Sequence, residues 1–295
     1  MEQKTYQLCS RAFRIKAKNG LLQSLLPGPS APGEAGTQYI LPGEAFGRFQ
    51  LGWVQDGEPG GFSLTPETVP QEERYVREPL SVKYEAAWTA EAAALKMKAV
   101  YTLQEDALLY ELLVENCGVR PLLLTDAGFS FPCNSDFHWG ENAGGKVIGH
   151  HFVSGHGSHL LFERCDGKGP LLAVLPQDGT QLEYFQETPA YAVSDGGDGK
   201  KETAFTAYAH STGVRREAEA KGHTPRLPGT EKQLNPGEGE RFCFRWEFTD
   251  SRQDARRLLA RRGLVDVEVL PGLTVPQGQE ISLALTSCWE DLRLC

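Results

Sequence analysis

The sequence predicts an all-β protein, a large antiparallel two-sheet β-sandwich with one short helix near the C-terminus. Three observations predict it. Apolar and polar residues alternate in short runs along most of the chain, Gly-, Pro- and Asn-rich turns separate those runs, and only one stretch carries capped helical spacing. A sandwich can occupy all 295 residues as one domain, 1–295. About fifteen short strands point to a supersandwich rather than an immunoglobulin-type domain of roughly 100 residues.

The elements follow in order. Ala12 to Lys18 alternates with a period of two, and Asn19-Gly20 is a strong hairpin signal that returns the chain into Leu21 to Leu26. A Pro- and Gly-rich loop spans Pro27 to Glu44, followed by a strand at Phe46 to Val54 and a second loop from Gln55 to Gln71. Strands are expected at Leu80 to Thr89, Ala94 to Gln104 and Ala107 to Asn116, the last two joined at Glu105-Asp106. Further strand patterns run over Leu122 to Phe129, Lys146 to Val153, His159 to Arg164, Leu171 to Pro176, Thr180 to Tyr184, Thr203 to His210 and Arg241 to Phe248. The helix is expected at about 251–262: Thr249, Asp250 and Ser251 offer cap oxygens, Ala255, Leu258, Leu259 and Arg262 share helical spacing, and Gly263 stops it. Closing strands lie within 265–286, at Val265 to Leu270 and Ile281 to Thr286. Arg215 to Lys221 and Asp195 to Lys201 read as charged loops.

Composition narrows the function. A formal net charge of -9 argues against a phosphate-tracking surface, so no nucleic-acid partner is expected. The N-terminus has no apolar secretory core, and no run of 18 or so apolar residues follows, so no membrane association is expected. The seven cysteines are scattered and form no CxxC pair; they read as reduced thiols of a cytoplasmic protein.

Chemistry-bearing residues concentrate between Asp136 and Glu187, and five of the seven histidines, His138, His150, His151, His156 and His159, fall in the first half of that segment. Zinc needs three or four convergent ligands, yet His150 and His151 point to opposite faces of a strand, and neither HExxH nor His-x-His occurs. No metal and no cofactor are therefore expected. Ser154-Gly155-His156-Gly157-Ser158 reads as a tight turn whose glycines allow close backbone approach while His156 projects from it. Trp139, between His138 and Glu141 in a glycine-rich loop, is either a stacking platform or a core residue. Asp136, Glu141, Glu183 and Glu187 supply carboxylates for glycosidic chemistry if two converge at about 5.5 Å or at about 6.5 to 9.5 Å, although a chain with 39 acidic residues offers such pairs by chance. The substrate-binding candidates are Asp136, His138, Trp139, Glu141, His156 and Tyr184, and the catalytic candidates are His156 and Glu183. Imidazoles, carboxylates and aromatic faces in one segment suit a sugar, which needs hydrogen bonds at its edge and stacking on its C–H face. No GxSxG motif, P-loop or dinucleotide fingerprint is present.

Several phrases carry a family resemblance: Leu108 to Asn116 (LLYELLVEN), Pro121 to Gly128 (PLLLTDAG), Phe152 to Ser158 (FVSGHGS), Gly169 to Pro176 (GPLLAVLP) and Gly179 to Tyr184 (GTQLEY). Together they resemble the N-terminal region of large bacterial and fungal proteins of unassigned function that join a β-supersandwich to a glycosidase-like (α/α)6 barrel. The resemblance runs from about Tyr6 to the C-terminus and implies a galactose-mutarotase-like sandwich. That family has no established catalytic residues to transfer. The chain departs from it by ending at Cys295, where the barrel should follow.

The expected function is a carbohydrate-associated β-sandwich, an accessory region or subunit of a glycoside-hydrolase-like enzyme. Its expected partners are an oligosaccharide or polysaccharide and an (α/α)6 barrel domain or subunit. A stand-alone aldose-epimerase or mutarotase-like enzyme is the alternative, with His156 or His138 and Glu183 as acid and base. A structural dimerisation domain is the third reading.

Overall fold

The computed structural model describes residues 4–29, 36–135, 143–153, 155, 157–188, 204–224, 227–272 and 274–289. Its chain is a two-sheet antiparallel sandwich, as the alternation requires. The larger sheet has eight strands: β6 (Glu72–Arg77), β7 (Val82–Ala90), β8 (Leu95–Leu103), β9 (Ala107–Asn116), β11 (Val147–Phe152), β12 (His159–Arg164), β13 (Leu171–Gln177) and β17 (Gly239–Thr249). Their spatial order is β11-β12-β13-β17-β9-β8-β7-β6. The smaller sheet runs β14 (Tyr184–Thr188), β15 (Ala204–Ser211), β10 (Leu122–Ser130), β4 (Arg48–Gln55) and β5 (Glu58–Ser63), with β16 (Lys232–Leu234) also paired to β10. An N-terminal sheet holds β1 (Tyr6–Cys9), β2 (Phe13–Lys18) and β3 (Leu21–Pro27), and a C-terminal ribbon holds β18 (Asp266–Leu270) and β19 (Ser282–Thr286).

The core lies between the sheets because each strand turns its apolar set inward. Phe129 of β10 packs against Phe244 of β17 at 4.9 Å between ring centres, and Phe49 of β4 meets Trp88 of β7 at 5.8 Å. Phe46, just ahead of β4, meets Trp246 of β17 at 5.6 Å. A row of buried tyrosines crosses β7, β8 and β9: Tyr84 and Tyr101 lie 6.0 Å apart, and Tyr101 and Tyr110 4.9 Å. Buried hydroxyls need partners. Tyr84 accepts the Gly20 N–H at 2.7 Å and Tyr101 donates to the Gly20 carbonyl at 3.0 Å, so the Asn19-Gly20 turn is anchored in the core. Both turn residues have positive φ, 52° and 77°, the geometry that makes Asn-Gly a hairpin former.

Among the described residues there are two α-helices. α2 (Arg252–Arg261) stands where its caps predict: Ser251 Oγ accepts the Asp254 N–H at 3.1 Å, and Gly263 at φ 77° closes the far end. Its buried Ala255, Leu258 and Leu259 cover Leu161, Ala173 and Leu175 on the outer face of the larger sheet. Arg256 ties α2 to Asp266 (2.7 Å) and Glu268 (2.9 Å) of the C-terminal ribbon.

The other helix corrects the sequence reading. α1 (Thr212–Ala220) occupies most of the stretch that reads as a charged loop. Its N-terminus receives no side-chain hydrogen bond from its own cap residue, Ser211; the capping group comes from Asp126, 88 positions away. At the other end Gly222 has φ 86° and the His223 N–H bonds the Ala218 carbonyl at 3.0 Å, a Schellman closure. The expected loop Gln55 to Gln71 contains β5, an edge strand whose Pro59, Gly60 and Gly61 hide it from a propensity reading. The strand expected at Thr180 to Tyr184 begins instead at Tyr184, because Asp178-Gly179 turns the chain and Leu182 makes only an isolated bridge to Gly155.

Candidate functional site

Asp136, His138, Trp139, Glu141 and His156 lie outside the described residues, as does the side chain of Glu187. Glu183 and Tyr184 are described, and they sit side by side at the start of β14. The Glu183 carboxylate accepts the Ser211 hydroxyl at 2.5 Å and the Thr230 N–H at 2.8 Å. It thereby fastens the point where the chain leaves β15 for α1 to the segment that returns from α1. Tyr184 pairs across the ladder with Tyr208, the two rings 5.9 Å apart.

The described histidines have separate surroundings. His150 Nε2 meets Glu163 at 3.1 Å, a carboxylate also held by Arg252. His151 points the other way and stacks on Phe185 at 4.3 Å, with Phe205 at 5.2 Å. Its Nε2 is buried with no hydrogen-bond partner among the described residues, and burial pushes its pKa down to about 4. His159 is buried against Phe152 at 4.4 Å, which also lowers its pKa, and its Nδ1 meets the Gly157 carbonyl at 3.0 Å. Among the described residues no group of three or more His, Cys, Asp or Glu is placed to hold a metal.

What the topology does bring together is the outer face of the smaller sheet. Inward Phe49, Leu51, Ala127, Phe129 and Ala207 leave the alternate positions on the other side of the sheet: Arg48, Gln50 and Gly52 on β4, Asp126, Gly128 and Ser130 on β10, Thr206 and Tyr208 on β15, and Tyr184 and Gln186 on β14; of these Asp126, Gly128, Thr206 and Tyr208 are buried, and Tyr184, Gln186 and Gln50 are partly exposed. The Tyr208 ring lies over Gly128, where a Cβ would come within 2.7 Å of it. Its hydroxyl accepts from Gln50 Nε2 and donates to Gln186 Oε1 at 3.4 Å. Ser130 and Thr206 hydroxyls meet at 3.1 Å. Arg48 is paired with Glu44 at 2.7 Å.

α1 forms a wall at one end of this face. Asp126 Oδ1 accepts the Val214 N–H at 2.9 Å, Thr125 Oγ1 donates to Oδ2 at 2.9 Å, and the Gly213 backbone adds a further bond. Burial pushes the Asp126 carboxyl above the usual aspartate range, against the pull of those donors. Space for the carboxylate comes from two glycines, since a Cβ at Gly213 would lie 2.0 Å from Oδ2 and one at Gly52 2.5 Å from it. Between α1 and β14 opens a cavity of about 250 Å³ lined by Tyr184, Gln186, Val214, Glu217, Lys221 and His223. Of the sequence candidates, this cavity includes Tyr184. Gln50, Asp126, Gln186, Tyr208 and Glu217 were not singled out by the sequence. Their available signal was Gly52 and Gly128 within strand patterns, which mark close approach.

No curated protein is significantly similar to the chain. Among solved structures, a polysaccharide lyase matches 97% of the chain with a TM-score of 0.67 at 13% identity, and the match spans only 38% of the lyase. A candidate aldose 1-epimerase from Escherichia coli K12 matches 84% of the chain and 99% of its own length, with a TM-score of 0.51 at 11% identity. A galactose mutarotase related enzyme from Lactobacillus acidophilus matches 83% of the chain and 97% of its own length, with a TM-score of 0.50 at 10% identity. At these identities the likeness is one of fold, and the fold is the galactose-mutarotase-like supersandwich. The family of unknown function DUF5695 matches residues 72–291, most of the sandwich and the C-terminal ribbon, and the chain belongs to that family.

Proposed function

We propose that the chain is a carbohydrate-binding β-sandwich, an accessory region or subunit of a larger carbohydrate-active enzyme, with its sugar site on the outer face of the smaller sheet beside α1. The observation that carries the reading is the α1–β14 cavity, lined by Tyr184, Phe185 and Gln186 of β14, by Val214 and Glu217 of α1, and by Lys221 and His223 just past its end. An aromatic face beside amide and charged donors is what a pyranose needs, one surface for its C–H groups and others for its hydroxyls. The match to 38% of a polysaccharide lyase supports a role within a longer assembly, with an (α/α)6 barrel as the partner domain or subunit. Exposed free thiols at Cys9, Cys117 and Cys165 support a reducing, cytoplasmic setting.

Calorimetry with a panel of glucans, galactans and mannans tests the reading. Tyr184→Ala is expected to weaken binding by roughly 1 to 3 kcal/mol, the scale of a lost aromatic contact, while the melting temperature holds. Equal affinity in the variant, or no binding by the wild type alone and with a barrel partner supplied, would sink the idea.

A second reading, a free-standing aldose epimerase, is favoured by one observation: the chain covers nearly the whole length of the candidate aldose 1-epimerase. It requires an acid and a base, and the Glu183 carboxylate is already engaged by Ser211 and Thr230. Polarimetry on common aldoses showing no acceleration of mutarotation would remove it.

A further inference from the structure

The outer face of the larger sheet carries a second pocket, on the other sheet from the α1–β14 cavity. α2 covers that face at β12 and β13, through Leu161, Ala173 and Leu175. Toward the opposite edge, on β6 to β8, a cavity of about 200 Å³ opens, lined by Glu72, Arg74, Glu85, Ala87, Lys96 and Lys98. The pairing register accounts for the hollow. Ala87 stands opposite Glu72 on one side and Lys98 on the other, Arg74 stands opposite Glu85, and Lys96 stands opposite Thr89. A methyl group set among much longer side chains on one face of a sheet makes a well with Ala87 as its floor. The charged groups around it are open to solvent: Glu72, Arg74 and Lys96 are exposed, and Glu85 and Lys98 are partly so.

Those charges are unequally matched. Lys98 Nζ holds the Glu85 carboxylate at 2.9 Å, so that pair is compensated within the wall. Glu72, Arg74 and Lys96 form no ion pair among the described residues. Three cations thus face two carboxylates, a local surplus of one positive charge in a chain of net charge -9. A doubly charged phosphate exceeds that surplus, a zwitterion leaves it unmet, and a neutral sugar makes no use of it. A ligand with a single negative charge matches it. The Arg74 guanidinium offers a carboxylate two parallel N–H donors, which the Lys96 ammonium does not. Glu72 is an acceptor for hydroxyls on the same molecule, and Lys96 is a donor to them.

We infer that this pocket binds a hydroxylated monocarboxylate, a sugar acid of the uronate type, with its carboxylate on Arg74 and its hydroxyls on Glu72 and Lys96. The anion site holds whether or not the α1–β14 cavity takes a sugar; the choice of a sugar acid among hydroxylated carboxylates rests on the carbohydrate reading above.

The test is a titration of the full chain with sodium glucuronate, followed by backbone amide NMR, with glucose, glucose 6-phosphate and lactate as comparisons. Glucuronate should shift the amides of 72–74, 85–87 and 96–98, bind more tightly than each comparison, and weaken as salt is raised. Arg74→Gln should weaken it by about 10-fold, the scale of a hydrogen bond to a charged group. Ala87→Leu, which fills the floor and leaves every charge in place, should abolish binding. Melting curves check that both variants fold, and Arg74, being exposed, keeps the test valid if Ala87→Leu melts lower. Lactate or glucose 6-phosphate binding as tightly as glucuronate overturns the sugar acid. Equal affinity in Arg74→Gln overturns the charge argument and the site with it. Shifts confined to Tyr184, Gln186 and α1 place the ligand in the α1–β14 cavity, which overturns this site and leaves the carbohydrate reading intact. No shift with glucuronate also overturns the site, and calorimetry with the neutral polysaccharides reads the other cavity separately.

Discussion

Replacing His151 by Met should make the protein markedly more resistant to acid. The imidazole lies against Phe185 and Phe205 with its Nε2 unpartnered among the described residues, and burial brings its pKa from 6.5 to about 4. A folded pKa below the unfolded one means that the unfolded chain binds the proton more readily. Stability is therefore full above about pH 6.5 and is lost as pH falls toward about 4. Integrating that difference between about pH 7 and about pH 4.5 gives a loss of about 2 kcal/mol from this one side chain. Methionine has similar bulk, adapts to the slot between the rings and carries no titrating group. Burial also lowers the pKa of His159 and His210, which supplies an acid-sensitive background shared by both proteins. The assay is urea unfolding at the two pH values. The fall in unfolding free energy should be about 2 kcal/mol smaller in His151→Met than in the wild type, and identical falls would refute the burial argument.

Three further outcomes are expected. Gly20→Ala should cost about 2 to 4 kcal/mol, because the residue has φ 77° and its Cβ would lie 2.2 Å from the buried Trp88 ring; a melting temperature near that of the wild type would contradict this packing. Ser251→Ala removes the acceptor for the Asp254 N–H and should cost about 1 kcal/mol in urea unfolding, whereas Ser287→Ala, in the C-terminal segment, should cost less. Asp126→Ala should leave the first amides of α1 without their acceptor, lowering stability by about 1 to 3 kcal/mol and speeding hydrogen exchange from Val214 to Ala218; unchanged exchange would show that α1 does not depend on it.

What the sequence revealed was local. Asn19-Gly20 specified its hairpin because two residues with positive φ suffice to fix the turn, and β9 begins and ends where its alternation does, at Ala107 and Asn116. α2 was legible because Ser251 and Gly263 lie within its own stretch of chain. α1 was not, since it buries only Ala218 and takes its cap from a distant strand; Gly222 was the one stop signal within reach. β5 was hidden by Pro59 and two glycines, and its pairing with β4 prevailed over their low strand propensity. The site was legible only at Tyr184. Gln50, Asp126, Gln186 and Tyr208 each lie on the side of a strand away from the core, and Asp126 and Tyr208 are buried even there, so the alternation pattern does not mark them. Strand order, which follows from crossovers between distant segments, decides that they share a face.

The path of the chain around α1 has a consequence for how this protein could diversify. β15 ends opposite Asp126 of β10 and β16 resumes opposite Leu124, so everything from Thr212 to Glu231 departs from and rejoins the same ladder across the single position of Thr125. The sheet needs only a short connection there. The segment behaves as a cassette inserted in an otherwise continuous edge, anchored at its foot by Glu183 and Asp126. Relatives could exchange it for another of different length or charge without disturbing a single inward-facing residue of the sandwich, and ligand preference could change while the framework stays constant.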